Sequence, residues 1–166
     1  MKFLLSVVFL ATISFCVHAQ NPASLTITGQ VNQTLVLAVS DLEAFPAKTG
    51  GPVPIISASG ETRRIIGTFR AVLLRDLLDR AGIQMANQKE KGRYYVVARA
   101  TDGYTALFSH NELYNNPTGQ QTYVLYAIDG KPIEKEGPFV LLVTNDLISG
   151  ARHVKWLTSV AVQKVP

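Results

Sequence analysis

Gly150-Ala151-Arg152-His153-Val154-Lys155-Trp156-Leu157 sets two permanent cations and an imidazole within four residues, beside the only Trp of the chain. Arginine offers a planar fork of donors suited to phosphate, and lysine adds a compact charge. On an extended backbone Arg152 and Lys155 point to opposite sides, so a shared anion site requires a loop or tight turn. Gly150 permits such a bend. The competing reading is a solvated basic edge ahead of the strand that follows. That strand is Thr158-Ser159-Val160-Ala161-Val162-Gln163, whose apolar residues alternate.

Outward from this stretch the chain is rich in strands. Leu25 to Val31 and Thr34 to Val39 alternate around Asn32-Gln33 and predict a hairpin. Ser40-Asp41-Leu42-Glu43 has the pattern of a capping box, opening a short helix stopped by Pro46. Lys48 to Pro52 is loop by composition, and Val53 to Ala58 and Thr62 to Ile66 read as strands around Ser59-Gly60-Glu61. Leu73, Leu74, Leu77 and Leu78 form one apolar face of a helix that runs to Ala81 and stops at Gly82. Arg93 to Ala100 and Tyr104 to Phe108 flank an Asp102-Gly103 hairpin turn. Ser109-His110-Asn111-Glu112 opens another short helix, with His110 expected as a surface or capping residue. Thr122 to Ile128 and the uniformly apolar Phe139 to Thr144 complete the strands. Mostly hairpin-linked strands with a few short helices predict an α+β fold with mixed, mostly antiparallel sheets.

Lys2, the apolar run Phe3 to Val17 and the small-residue site Val17-His18-Ala19 predict a secretion signal over residues 1–19, cleaved near Ala19, with one domain over 20–166. The apolar run is short for a membrane span, so the mature protein is expected to be periplasmic or secreted and not membrane-spanning. No Arg-Arg pair precedes the run, which indicates general secretion of an unfolded chain rather than twin-arginine export. Cys16 leaves with the signal, so no disulfide, thiolate ligand or cysteine nucleophile is expected afterwards. Losing Lys2 lowers the formal net charge from +4 to +3, with acids interspersed among the bases. Nucleic-acid binding is not expected from that balance. A phosphate-binding Gly-rich loop, paired-histidine metal spacing and a Gly-x-Ser-x-Gly elbow are all missing. His110 and His153 lie far apart in sequence, which argues against a zinc site.

Several blocks together resemble the oxidoreductase molybdopterin-binding domain family, which has the fold of the sulfite oxidase catalytic domain. The stretch 150–157 is similar to that family's Gly-Ala-Arg-x-Val-Lys-Trp-Leu segment, and Thr68 to Leu78 to its Trp-x-Gly-Val-Pro-Leu-x-Asp-Leu-Leu helix start. Asp102-Gly103-Tyr104, Asp129-Gly130-Lys131-Pro132-Ile133 and Gly137-Pro138-Phe139-Val140-Leu141-Leu142-Val143 resemble its two turns and its central strand, in the same order. Family members bind a phosphate-bearing pterin that holds molybdenum. The resemblance implies that Arg152, His153 and Lys155 border the pterin and phosphate pocket, with Asp102 and Tyr104 near its mouth.

The chain departs from the catalytic members at one position. Their metal-ligating Cys begins a Cys-x-Glu segment about ten residues before the helix-start aromatic. Counting back from Phe69 lands on Ser59, with Glu61 on the Glu. A serine hydroxyl ionises far less readily than a thiol and is a poor ligand for a soft metal. The missing thiolate and the general-secretion signal both point to a small-anion or pterin-like binding protein without stable molybdenum and without a metal site. The alternatives are a molybdopterin-dependent oxidoreductase, and an interaction module for a periplasmic or membrane-bound sensor or redox partner.

Overall fold

The computed structural model describes residues 24–166; the predicted signal and its cleavage point lie outside them. Twelve strands and three α-helices follow in chain order: β1 Leu25–Gly29, β2 Leu35–Leu37, α1 Val39–Leu42, β3 Lys48–Gly50, β4 Val53–Ile56, β5 Thr62–Ile66, β6 Phe69–Leu73, α2 Leu74–Ala81, β7 Tyr94–Ala100, β8 Thr105–Ser109, α3 His110–Tyr114, β9 Thr122–Ile128, β10 Lys131–Pro132, β11 Val140–Val143 and β12 Leu157–Lys164. The expected α+β class with mixed, mostly antiparallel sheets is what the structure has. Among the described residues only the β1–β12 pairing is parallel.

One five-stranded sheet runs β2-β1-β12-β7-β8. In the second, β9 pairs β6 on one side and β11 and β10 on the other, with β3 beyond β6. The hairpin β4–β5 stands apart as a two-stranded ribbon. The larger core gathers Leu25, Val96 and Val160 from the first sheet, Leu74, Leu77 and Leu78 from α2, and Val124, Leu141 and Val143 from the second sheet. A smaller core lies beside Ile55 and Ile66 of the hairpin and takes Ala71, Leu125, Val140 and Leu142. Strand β11 thus alternates between two buried faces, which explains why it reads as a continuous apolar run.

Three local expectations are corrected. The first helix starts at Val39, and the Asp41 carboxylate accepts the Ala38 N–H at 2.7 Å, so its cap lies upstream of Ser40. Leu73 belongs to β6 rather than to α2; tertiary pairing with Tyr123 claims it for the sheet. Lys48–Gly50, loop by composition, pairs with Phe69–Ala71 as an edge strand. Between β12 and β7 the register shifts between Leu157 and Ser159. This irregularity spaces the buried residues Leu157 and Val160 three apart at the start of an otherwise alternating strand.

Candidate functional site

The segment between β11 and β12 is the organising feature of the site. Ser149–Arg152 forms a single 3-10 turn, after which Val154 exchanges backbone hydrogen bonds with Leu141 at 2.9 Å in both directions. The turn is fixed from outside. Ser149 Oγ, buried, donates to the Pro54 carbonyl at 2.7 Å and accepts the Ile56 N–H at 2.9 Å. Gly150 allows this approach, because a Cβ there would stand 2.7 Å from the Ile56 carbonyl oxygen. From the other side Tyr104 donates its phenol hydrogen to the Ala151 carbonyl at 2.8 Å, and Asp102 Oδ1 accepts the Tyr104 N–H at 2.9 Å. Beyond the turn Trp156 holds a left-handed backbone (φ 51°), with its N–H donating to the Glu136 carbonyl. Gly137 lies flat beneath it; a Cβ there would come within 2.8 Å of Trp156 Cα.

These three segments enclose a cleft of about 750 Å³. The hairpin contributes Ser57, Ala58, Arg63 and Arg64, the β7–β8 turn Asp102 and Tyr104, and the central segment Gly150, His153 and Lys155. Of the residues predicted for a site, the structure therefore brings together Asp102, Tyr104, His153 and Lys155.

Arg152 does not join them. Its Nε donates to Asp146 Oδ2 at 2.7 Å, while its terminal nitrogens meet Asp146 Oδ1 and Glu112 Oε1. The guanidinium also lies over the Phe108 ring, 4.8 Å from the centroid. The hydrogen bonds it donates to Asp146 push its pKa still higher. Arg152 faces away from the cleft because the 3-10 turn ends before Lys155, leaving the two cations on opposite sides of the segment. Ser59 is also displaced. It sits exposed at the hairpin tip, its Oγ 2.9 Å from Ser57 Oγ and donating to Glu61 Oε2 at 3.3 Å, while Ser57 and Ala58 line the cleft.

Three contributors were not expected from the sequence. Arg63 and Arg64, exposed on β5, both line the cleft. Glu136, only 4% exposed, lies beneath it with Oε1 2.6 Å from Arg64 Nη1 and 2.7 Å from Lys155 Nζ. These are ion pairs set off the line of a hydrogen bond. Glu136 Oε2 lies 3.6 Å from His153 Nε2, and neither atom has a hydrogen-bond partner. Burial holds the His153 imidazole below its ordinary range; Glu136 opposes this, and Lys155 and Arg64 reinforce it. The imidazole is neutral at neutral pH. An acid directly before Gly137-Pro138 and a strand buried on both faces is the one sequence signal that could have drawn attention to Glu136.

His110 is likewise buried rather than a surface residue, stacked on Tyr114 with ring centroids 4.5 Å apart. It borders a second cavity of about 410 Å³ on α3.

The two sheets, the detached hairpin and the cleft over the β11–β12 segment define an α+β domain with a ligand-sized cleft. The chain belongs to the oxidoreductase molybdopterin binding domain family, whose model matches residues 16–166. Among solved structures it resembles the sulfane dehydrogenase SoxCD from Paracoccus pantotrophus, with a TM-score of 0.59 at 20% identity. The match covers 86% of this chain and 39% of that one, so this chain spans about two-fifths of its length. At that identity the likeness is one of fold, of the sulfite oxidase kind. No curated protein matches the sequence.

The family's cofactor can be compared with the side chains in place. Cys16 is the only cysteine of the chain and lies outside the described residues. Hydroxyls and a buried imidazole line the cleft instead of a thiolate, and no group of three or more His, Cys, Asp or Glu side chains among the described residues could hold a metal ion. Oxygen and neutral nitrogen donors of this kind do not match a soft metal centre.

Proposed function

We propose that this is an exported binding domain that takes a small organic anion, of pterin-like class, into the cleft, without molybdenum redox chemistry. The observation that carries the reading is the convergence of Arg63, Arg64 and Lys155 on one cleft of about 750 Å³. That size suits a small heterocyclic ligand. Tyr104 and Ile148 supply apolar surface at the same cleft, and both are partly exposed. Lys155, His153, Asp102 and Tyr104 are the contacts proposed for the ligand, joined by Arg63 and Arg64. Ser59 acts through Ser57 rather than by direct contact. Arg152 is assigned to holding the segment in place.

Arg63 is the cleanest probe, since it has no carboxylate within ion-pair distance among the described residues. Arg63→Glu is expected to weaken binding of pterin-6-carboxylate, followed by its own fluorescence, by about tenfold or more. Unchanged affinity in the folded variant would refute the cleft as the binding site. A second reading, an interaction module for a membrane-bound sensor or redox partner, draws support from Trp156 and Leu147, which are 45% and 89% exposed. In that case Arg63→Glu leaves partner capture intact.

A further inference from the structure

Three permanent cations face the cleft, but two of them are already engaged. Arg64 Nη1 and Lys155 Nζ meet on the same oxygen of Glu136, at 2.6 and 2.7 Å. The carboxylate is buried, its side chain 5% exposed, so its charge is balanced by these two neighbours and hardly by water. Asp102 adds a second negative charge at the rim, and His153 is neutral. Three cations against two carboxylates leave one positive charge in excess. Arg152, the other cation of the segment, is held by Asp146 and Glu112 and adds nothing to the cleft.

We infer that Glu136 is a specificity-determining residue that restricts the cleft to singly charged organic anions, such as carboxylates or sulfonates, and excludes phosphate dianions. The inference rests on the cleft being an anion site, as proposed above. Attraction to the excess charge grows in proportion to the ligand's charge, whereas the cost of stripping its water grows roughly as the square. A monoanion neutralises the cleft. A dianion leaves it negative, and must in addition share Arg64 and Lys155 with a carboxylate that cannot retreat into solvent. The family's phosphorylated cofactor would thus meet an internal carboxylate already paired to two of the cleft's three cations.

The test compares two fluorescent probes with the same ring, pterin-6-carboxylate and the phosphate monoester of 6-hydroxymethylpterin, titrated at pH 7, where the monoester is mostly a dianion and the pterin lactam is mostly un-ionised. The wild-type protein is expected to bind the carboxylate more tightly. Glu136→Gln, which keeps the side chain's shape and adds one unit to the net positive charge, is expected to shift the ratio toward the monoester by on the order of tenfold. A wild-type preference for the monoester overturns the inference without any variant, which covers the case in which Glu136→Gln does not fold. An unchanged ratio in the folded variant also overturns it, while leaving the anion cleft standing. Failure of both probes to bind wild-type protein overturns the cleft reading and this inference together.

Discussion

Arg152 and Lys155 are both cations of one short segment, and their roles separate completely. Lys155 is about half exposed at the cleft, whereas the Arg152 side chain is 19% exposed and clamped between acids from the β11–β12 loop and α3. Removing a partner from such a partly buried pair leaves carboxylates without their cation, which costs more than the pair contributes. Arg152→Ala is therefore expected to destabilise the protein by about 2–3 kcal/mol in urea denaturation, while the folded variant binds pterin-6-carboxylate as wild type does. The reverse pattern, normal stability with lost binding, would return Arg152 to the ligand. Sequence showed that a clamp of charge was present at 152–155. It could not show the direction of each side chain, because that depends on Asp146 and Glu112 and on a turn pinned by distant residues.

That turn is the element on which the site depends. Ser149 reaches Ile56 and Pro54, 93 and 95 residues away in sequence, and holds the β4–β5 hairpin with Arg63 and Arg64 against the central segment. Ser149→Ala orphans a backbone donor and a backbone acceptor, each worth about 1–3 kcal/mol when left unpaired. The expected result is a lower urea midpoint together with weaker binding, since the hairpin is no longer fixed over the cleft. A variant of wild-type stability and affinity would show that the hairpin is held by its core residues Ile55 and Ile66 alone. The hairpin itself was legible from its alternation around Ser59-Gly60, as were β7–β8 from Asp102-Gly103 and the α3 cap at Ser109, where the Glu112 N–H bonds to Ser109 Oγ at 3.0 Å. Local turn and cap chemistry encodes such elements within a few residues. The start of α2 and the short strand β3 were not legible, because pairing with β6 and β9 decided them.

Across the whole molecule, the parallel β1–β12 pairing closes the first sheet from both ends of the described chain, and the second sheet is buried on two faces. This frame carries the cleft at the junction of three segments, and family membership follows from nearly the whole length. Within the cleft, the buried Glu136 is paired to two of the cations, and Arg63 has no carboxylate within ion-pair distance among the described residues. Native mass spectrometry of the protein purified gently from its own compartment tests the proposed function most directly. The predicted spectrum shows the chain free or carrying a small organic anion, with no molybdenum. A stoichiometric adduct with the mass of a molybdenum-bearing pterin would contradict the account.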